Sequence, residues 1–382
     1  MRILLNALLA KKESGGGFQI AYNFILRSFK SCNFHIDWYY LISTDLEDEL
    51  LECIDNSLRD RFYIFPNQPS VGKEHIVAQR RIKQVEQFVR PDVVYSILAP
   101  SYYKFNSAEV MRCCNAWDLI PSTHIAFSTL STKQKLKFGL KKLVVLKLMR
   151  DASFFITQTK EAQDRINKIL NVPLNRIGVI PNVIPFSLSK CSIEKQKHSG
   201  INIVYVAAPT PHKNLMIIPD VARILRNEYK ILNFHFYVTI PFDAKKVLSQ
   251  FESKAKELGV EDCIINVGRL QQKDLPQLYN CADIGFFPSL LETFSATLLE
   301  YLKFGLPIVA SDMPFNREVA GSSAVYFNPE SADSAARMIF QLISQDSIRN
   351  KLISSTNLQL LKYGDFDKYF EDTVAFINNV IN

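Results

Sequence analysis

Glu292 and Glu300 stand eight residues apart within DIGFFPSLLETFSATLLEYLKFGLPIVASD, residues 283–312. The segment reads as a buried strand, Ile284–Phe287, that breaks at Pro288-Ser289 and resumes near Phe294 as a helix with Leu298, Leu299 and Leu302 on its apolar face. Glu292 therefore falls in the strand-to-helix loop. Thr293 and Ser295 can leave or cap free amides at the helix start, where the positive end of the dipole favours an anion such as a pyrophosphate. With a rise of about 1.5 Å per residue, Glu300 lies further along the same helix, and the two carboxylates could bracket a nucleotide sugar, one near the sugar and one near the ribose. Spacing alone does not separate this from two glutamates that share a helix by chance.

A second candidate is Pro211-His212-Lys213-Asn214-Leu215, directly after the strand-like run Ile201–Ala207. A lysine in such a loop can act as a point charge on a departing diphosphate, or it can be ordinary solvated surface. A third is Gly15-Gly16-Gly17, which follows the first strand and precedes a helical pattern from Phe18. Ile20 stands where a dinucleotide fingerprint needs its third glycine, so that fingerprint is not supported, and a flexible loop is the plain alternative. His35, His75, His198 and His235 form no metal-spaced set, and no convincing D-x-D site stands out, so no catalytic metal is expected.

The elements that must position these residues alternate short apolar runs with longer helical patterns, the mark of βαβ units around parallel sheets, hence an α/β class. Strands are expected at Ile3–Leu9, His35–Ile42, Val93–Ile97, Ala152–Thr157, Ile177–Pro181, Ile201–Ala207, Phe234–Thr239, Cys263–Val267, Ile284–Pro288, Pro307–Ala310 and Ala324–Phe327. Ser187 to Gly200, SLSKCSIEKQKHSG, reads as an exposed linker between two near-equal halves. The expected division is thus a first domain over 1–186, a linker over 187–200 and a second domain over 201–365, with an amphipathic C-terminal helix over 366–382. A length of 382 residues with 47% hydrophobic and 22% charged residues suffices for two full cores.

The 283–312 segment resembles the E-x7-E region of the retaining family 4 glycosyltransferases, and Asp283, Pro288-Ser289, Gly305-Leu306-Pro307, Ser311-Asp312 and Glu318 fall where that family carries similar residues. The resemblance implies a GT-B fold: two Rossmann-like domains whose parallel sheets face a central cleft, the C-terminal helix packing back on the first domain. It implies that Glu292 contacts the transferred sugar and Glu300 the ribose, and that Lys213 neutralises the diphosphate of a UDP- or GDP-sugar co-substrate, with no cofactor and no metal. Gly16 and Gly17 would approach the donor phosphate. Asp274-Leu275-Pro276-Gln277-Leu278-Tyr279, after Gly268-Arg269-Leu270, resembles the nucleobase region, and Asn171 to Val183 resembles the segment closing the first sheet.

Three departures are visible. Thr293-Phe294-Ser295 replaces the family's frequent Gly-Phe-Gly; Ala208 stands where an arginine is common, leaving His212 or Arg269 as a substitute; and Trp117 replaces the histidine in Ala116-Trp117-Asp118-Leu119-Ile120-Pro121. On that acceptor side only Asp118, and His124 nearby, remain. The expected reaction is transfer of a hexosyl or N-acetylhexosaminyl group, with retention, to a hydroxyl of a saccharide or lipid-linked glycan in surface polysaccharide synthesis. A sugar-nucleotide epimerase on the same fold and a non-catalytic, membrane-associated partner subunit are the other readings.

Charge completes the expectation. There are 45 Lys and Arg against 38 Asp and Glu, a net +7, which suits an anionic substrate or membrane surface. Residues 133–150, KQKLKFGLKKLVVLKLMR, hold seven basic residues and no acid. Leu136, Leu140, Leu143 and Val144 share one helical stripe and Lys133, Lys137 and Lys141 another, the make-up of a helix on an anionic membrane or of a plain solvated face. Nucleic acid is not expected, since no aromatic interleaving or recognition motif accompanies the patch. Ile3 to Ala10 reads as a first strand rather than a leader, and seven scattered cysteines without C-x-x-C point to a reducing, cytoplasmic setting, with peripheral membrane contact through 133–150 left open.

Overall fold

The computed structural model describes residues 1–12, 16–29, 36–50, 53–54, 56–66, 72–185, 188 and 190–381. Gly15, His35 and Ser187 lie outside them. The chain divides into two compact units, one of residues 1–120, 136–181 and 367–382, the other of residues 121–135 and 182–366.

The first unit holds β1 (Arg2–Ala7), β2 (Asp37–Ser43), β3 (Phe62–Phe65), β4 (Val93–Ser96), β5 (Glu109–Arg112), β6 (Phe154–Thr157) and β7 (Ile177–Val179). They form one sheet in the order β3-β2-β1-β4-β5-β6-β7 with parallel pairings. Its helices are α1 (Gly16–Phe29), α2 (Thr44–Leu50), α3 (Lys73–Val89), most of α4 (Thr132–Met149), α5 (Lys160–Leu170) and the C-terminal helix (Phe366–Ile381).

Alternation along the strands assigns the faces. Leu4, Leu41 and Val94 pack under Ala78, Ile82, Val85 and Val89 of α3, while Met111, Phe155 and Ile177 pack under α4 and α5. The register pairs Val94 with Glu109 and Ser96 with Met111, so Val94 and Met111 point the same way and α3, α4 and α5 share one face. On the other face Phe24 of α1 lies 5.4 Å from Tyr95 and 4.7 Å from Phe370 of the C-terminal helix, which also bonds through Asp367 to Arg27.

The second unit holds β8 (Ile201–Tyr205), β9 (Phe234–Val238), β10 (Ile264–Asn266), β11 (Ile284–Phe287), β12 (Ile308–Ser311) and β13 (Ala324–Phe327), ordered β10-β9-β8-β11-β12-β13 and again parallel. Around it stand α6 (Ile218–Asn227), α7 (Lys245–Glu257), α8 (Leu275–Asn280), α9 (Ala296–Lys303), α10 (Pro314–Ala320), α11 (Ala332–Ser344) and α12 (Asp346–Leu360). In each sheet the strand order reverses once, between β1 and β4 and between β8 and β11, and ligands of such sheets bind beyond the strand C-termini at that reversal. Both units are Rossmann-like.

Two strands lie outside the sequence expectation. β5 contains Glu109 and Arg112, charged residues that nonetheless lie buried, so no apolar run marks it. β3 is three half-buried residues and the buried Phe65, set between Arg61 and Pro66. The segment expected as a linker is mostly exposed over residues 190–200 and is grouped with the second unit. The Glu194 amide donates to Asn280 Oδ1 at 3.1 Å, the Gln196 amide to the Asn280 carbonyl at 3.1 Å, and Lys195 Nζ to the Ala282 carbonyl at 3.0 Å. Polar composition there reflects an exposed strap bonded to backbone, not a free tether.

Candidate functional site

The second sheet builds the site from its two central strands. After β8 the chain makes a short helical turn, Pro211–Lys213, closed by Asn214 in the left-handed region at φ 54°. Tyr205, on β8, donates to the Lys213 carbonyl at 2.8 Å and fixes where that turn sits. After β11 the loop from Pro288 runs alongside it: the Leu290 amide donates to the His212 carbonyl at 2.8 Å. The two loops are thus stitched backbone to backbone before any side chain is considered.

Across that seam Lys213 Nζ bonds to Glu292 Oε1, with the two side chains 18% and 13% exposed. Ser289 Oγ donates to the same carboxylate oxygen at 2.8 Å, and the lysine nitrogen lies 5.8 Å from the centre of the Phe287 ring. An ion pair this sheltered is screened little by water, so another anion reaching Lys213 would meet a strong local charge. His212 is held down to about 4, chiefly by burial with Lys213 adding to it against the pull of Glu292, so it is neutral at physiological pH.

The helix starts two residues later than the sequence suggests. Ser295 is its cap, accepting from the Leu298 amide at 3.4 Å, and α9 runs from Ala296. Phe294 is turned into the core beside Tyr363, ring centres 5.7 Å apart, so it can offer a ligand backbone but not its ring; Thr293 is likewise buried. α9 lies tight on the sheet because Gly285 leaves room: a Cβ there would come within 2.5 Å of the Tyr301 ring, whose hydroxyl donates to the Val204 carbonyl at 2.9 Å. Glu300, on this helix, is buried and accepts from the Tyr279 hydroxyl, and burial raises its carboxyl above the usual range against the opposing effects of that bond and of Lys213.

The remaining candidates separate. Arg269 is 74% exposed and stands 3.9 Å from Asp243, so it does not join Lys213 in place of the absent arginine at Ala208. Gly268 beside it has φ 73°, and a Cβ there would sit 2.5 Å from Phe242, which makes that loop a close approach of backbone to an aromatic ring. Gly16 and Gly17 open α1 in the first unit. Asp118 and His124 fall in different units. Asp118 is buried, receives Asn115 Nδ2 at 2.6 Å, and is raised by burial despite Lys141 and Lys142. His124 caps the turn Ile125–Thr129, its Nδ1 accepting from the Ala126 amide at 3.2 Å, and that turn packs beside Pro211–Lys213.

Trp117 stacks on Phe138 of α4 with ring centres 4.7 Å apart, a packing role in place of the family's histidine. Sequence reasoning did not single out Ser289 or Tyr279 as site residues; the Pro-Ser break after β11 and the tyrosine in DLPQLY were the signals for them. Among the described residues no group of three or more histidines, cysteines or carboxylates is arranged to hold a metal, and no helix is long and apolar enough to cross a membrane.

Residues 192–358 match the family model of the glycosyl transferases group 1. The O-antigen chain mannosyltransferase B of Escherichia coli is 26% identical over 214 residues, 52% of this chain and 53% of that protein; the O-antigen chain mannosyltransferase RfbU of Salmonella typhimurium is 25% identical over 210 residues, 54% and 56%. The chain spans about half the length of the curated relatives it matches. Among solved structures, Anabaena Alr3699/HepE in complex with UDP and glucose superposes with a TM-score of 0.71 at 15% identity, covering 99% of this chain and 100% of that one. A glycosyltransferase from Rickettsia africae gives 0.73 at 12% identity, covering 100% and 98%. The fold is therefore GT-B, two Rossmann-like parallel-sheet domains, and residues 192–358 resemble the glycosyl transferases group 1.

Proposed function

We propose that this protein is a retaining glycosyltransferase that moves a hexosyl or N-acetylhexosaminyl group from a UDP- or GDP-sugar to a hydroxyl of a saccharide or lipid-linked glycan acceptor in surface polysaccharide synthesis. The observation that carries the reading is the Lys213–Glu292 pair at the C-terminal ends of β8 and β11, where the strand order reverses. Lys213 and the capped start of α9 stabilise the departing diphosphate, Glu292 orients the sugar, and Glu300, fixed by Tyr279, receives the ribose. The bond from the anomeric carbon to the diphosphate breaks as the acceptor oxygen forms its own on the same face. The acceptor proton leaves with the diphosphate. His212, held neutral, adds no competing cation charge beside Lys213. The names of the two O-antigen relatives make a mannosyl donor the first to test.

The test is a thermal-shift series with UDP, GDP, ADP and their sugar conjugates on the full chain and on Lys213→Ala and Glu292→Gln, followed by product analysis with a glycan acceptor. A ligand at 100 times its Kd stabilises by about 2.7 kcal/mol. One nucleotide shifting the wild type, with the shift lost in Lys213→Ala, supports the donor site. Epimerised sugar without acceptor, or no nucleotide binding at all, sinks the transferase reading in favour of an epimerase or a non-catalytic subunit respectively.

A further inference from the structure

The apolar stripe of α4 is exposed. Leu136, Leu140, Leu143 and Val144 are 67%, 60%, 69% and 56% exposed, whereas Val145 and Met149, on the opposite side of the same helix, are buried in the first unit's core. A solvated helix normally turns such a stripe inward. Here the inward face is made by other residues, and Lys142 is tied to the Ile120 carbonyl. The outward face mixes leucines with Lys137, Lys141 and Lys147, all exposed.

α3 repeats the pattern on the same face of the sheet. Ile76, Val77 and Phe88 are exposed there, and residues 73–90 hold five basic residues against Glu74 and Glu86, the latter buried and accepting the Asn106 and Ser107 amides. The loop between β4 and β5 ties the two helices together: Gln79 Nε2 donates to the Lys104 carbonyl at 2.9 Å, and Lys104 Nζ lies 3.9 Å from Asp151 at the end of α4.

We propose that this α3–α4 face lies on an anionic lipid membrane. The leucine stripe enters the headgroup boundary while the lysine stems run along it and place their ammonium groups at the phosphates. Protein partners are a poorer match, because lysine is depleted at protein interfaces and here it surrounds every exposed leucine. The proposal needs no donor or acceptor, so its failure is separate from that of the transferase reading.

The test is co-sedimentation of the full chain with vesicles of phosphatidylcholine alone and of equal parts phosphatidylcholine and phosphatidylglycerol. Four proteins are compared: the wild type, Lys137→Glu/Lys141→Glu, Leu140→Ser/Leu143→Ser, and a control, Lys245→Glu/Lys246→Glu, which makes the same charge change on α7 of the second unit. We expect wild type and control to sediment with the anionic vesicles only, the lysine pair to lower partitioning by about 30-fold, and the leucine pair to lower it further at high salt. The substituted positions are exposed, so melting curves should be unchanged. Absence of binding to anionic vesicles overturns the proposal, as does a control that loses binding as much as the lysine pair. Conversion of an oligomer to monomer by the leucine pair, without vesicle binding, would instead make the stripe a self-association face.

Discussion

The two sheets reverse strand order at equivalent places and use the reversal differently. Beyond β8 and β11 stand a lysine and a carboxylate that touch each other and remain partly open to solvent. Near the C-terminal ends of β1 and β4, Asn6 Nδ2 donates to Ser96 Oγ at 3.0 Å, and Ser96 donates onward to Glu109 of the neighbouring strand, all three buried. One topology thus carries a charged pair that solvent still reaches and a sealed polar network that holds strands together. Burial decides which, since an accessible charge can exchange partners and a sealed one cannot.

The sharpest way to break that contrast is at the open pair. Lys213→Ala should lower kcat by about 10²–10³-fold, as loss of one transition-state charge contact does; a normal turnover would move the chemistry elsewhere. In the sealed network the expected signal is stability against pH. Burial raises Glu109 to about 7 from an ordinary 4.5, against the lowering effect of its bond from Ser96. The unfolded chain releases this proton at lower pH than the folded one, so stability falls as pH rises from 4.5 towards 7, by about 3 kcal/mol in all, and stays lower above it. Urea midpoints at several pH values should show that slope in wild type and a flatter one in Glu109→Gln.

Two smaller effects sharpen the role of α9. Gly285→Ala drives a methyl group into Tyr301 and should cost about 1–3 kcal/mol in denaturant titration while leaving the Lys213–Glu292 pair chemically intact. Ser295→Ala removes the cap on the Leu298 amide and should cost about 1 kcal/mol. If Ser295→Ala instead abolished nucleotide binding at unchanged stability, the hydroxyl would belong to the ligand rather than to the helix.

Much of this was legible because parallel strands buried on both faces leave dense runs such as Ile201–Tyr205 and Ile284–Phe287. β5 was not, since its Glu109 and Arg112 are accommodated by partners on other strands and on the C-terminal helix: Arg112 lies 6.0 Å from the Tyr369 ring. The carboxylate spacing of Glu292 and Glu300 was visible, but not that Ser289 and Tyr279 hold them, because those contacts cross 3 and 21 residues through a fold the spacing does not encode. Within 190–200 the exposed polar composition was legible, but not that the backbone there bonds to Asn280, a contact made across more than 80 residues.

The assignment of residues 121–135 to the second unit has a practical reach for dissection of the molecule. The chain passes from one unit to the other at residues 120–121, within α4, and at residues 181–182 and 366–367. A fragment of residues 182–366 would keep Lys213, Glu292 and Glu300 yet lose Ile125, which packs on that unit's core, and the turn that lies beside Pro211–Lys213. Separability in sequence and separability in space are different properties here, and the second unit becomes self-sufficient only if the short segment inherited from the other half of the chain is restored to it.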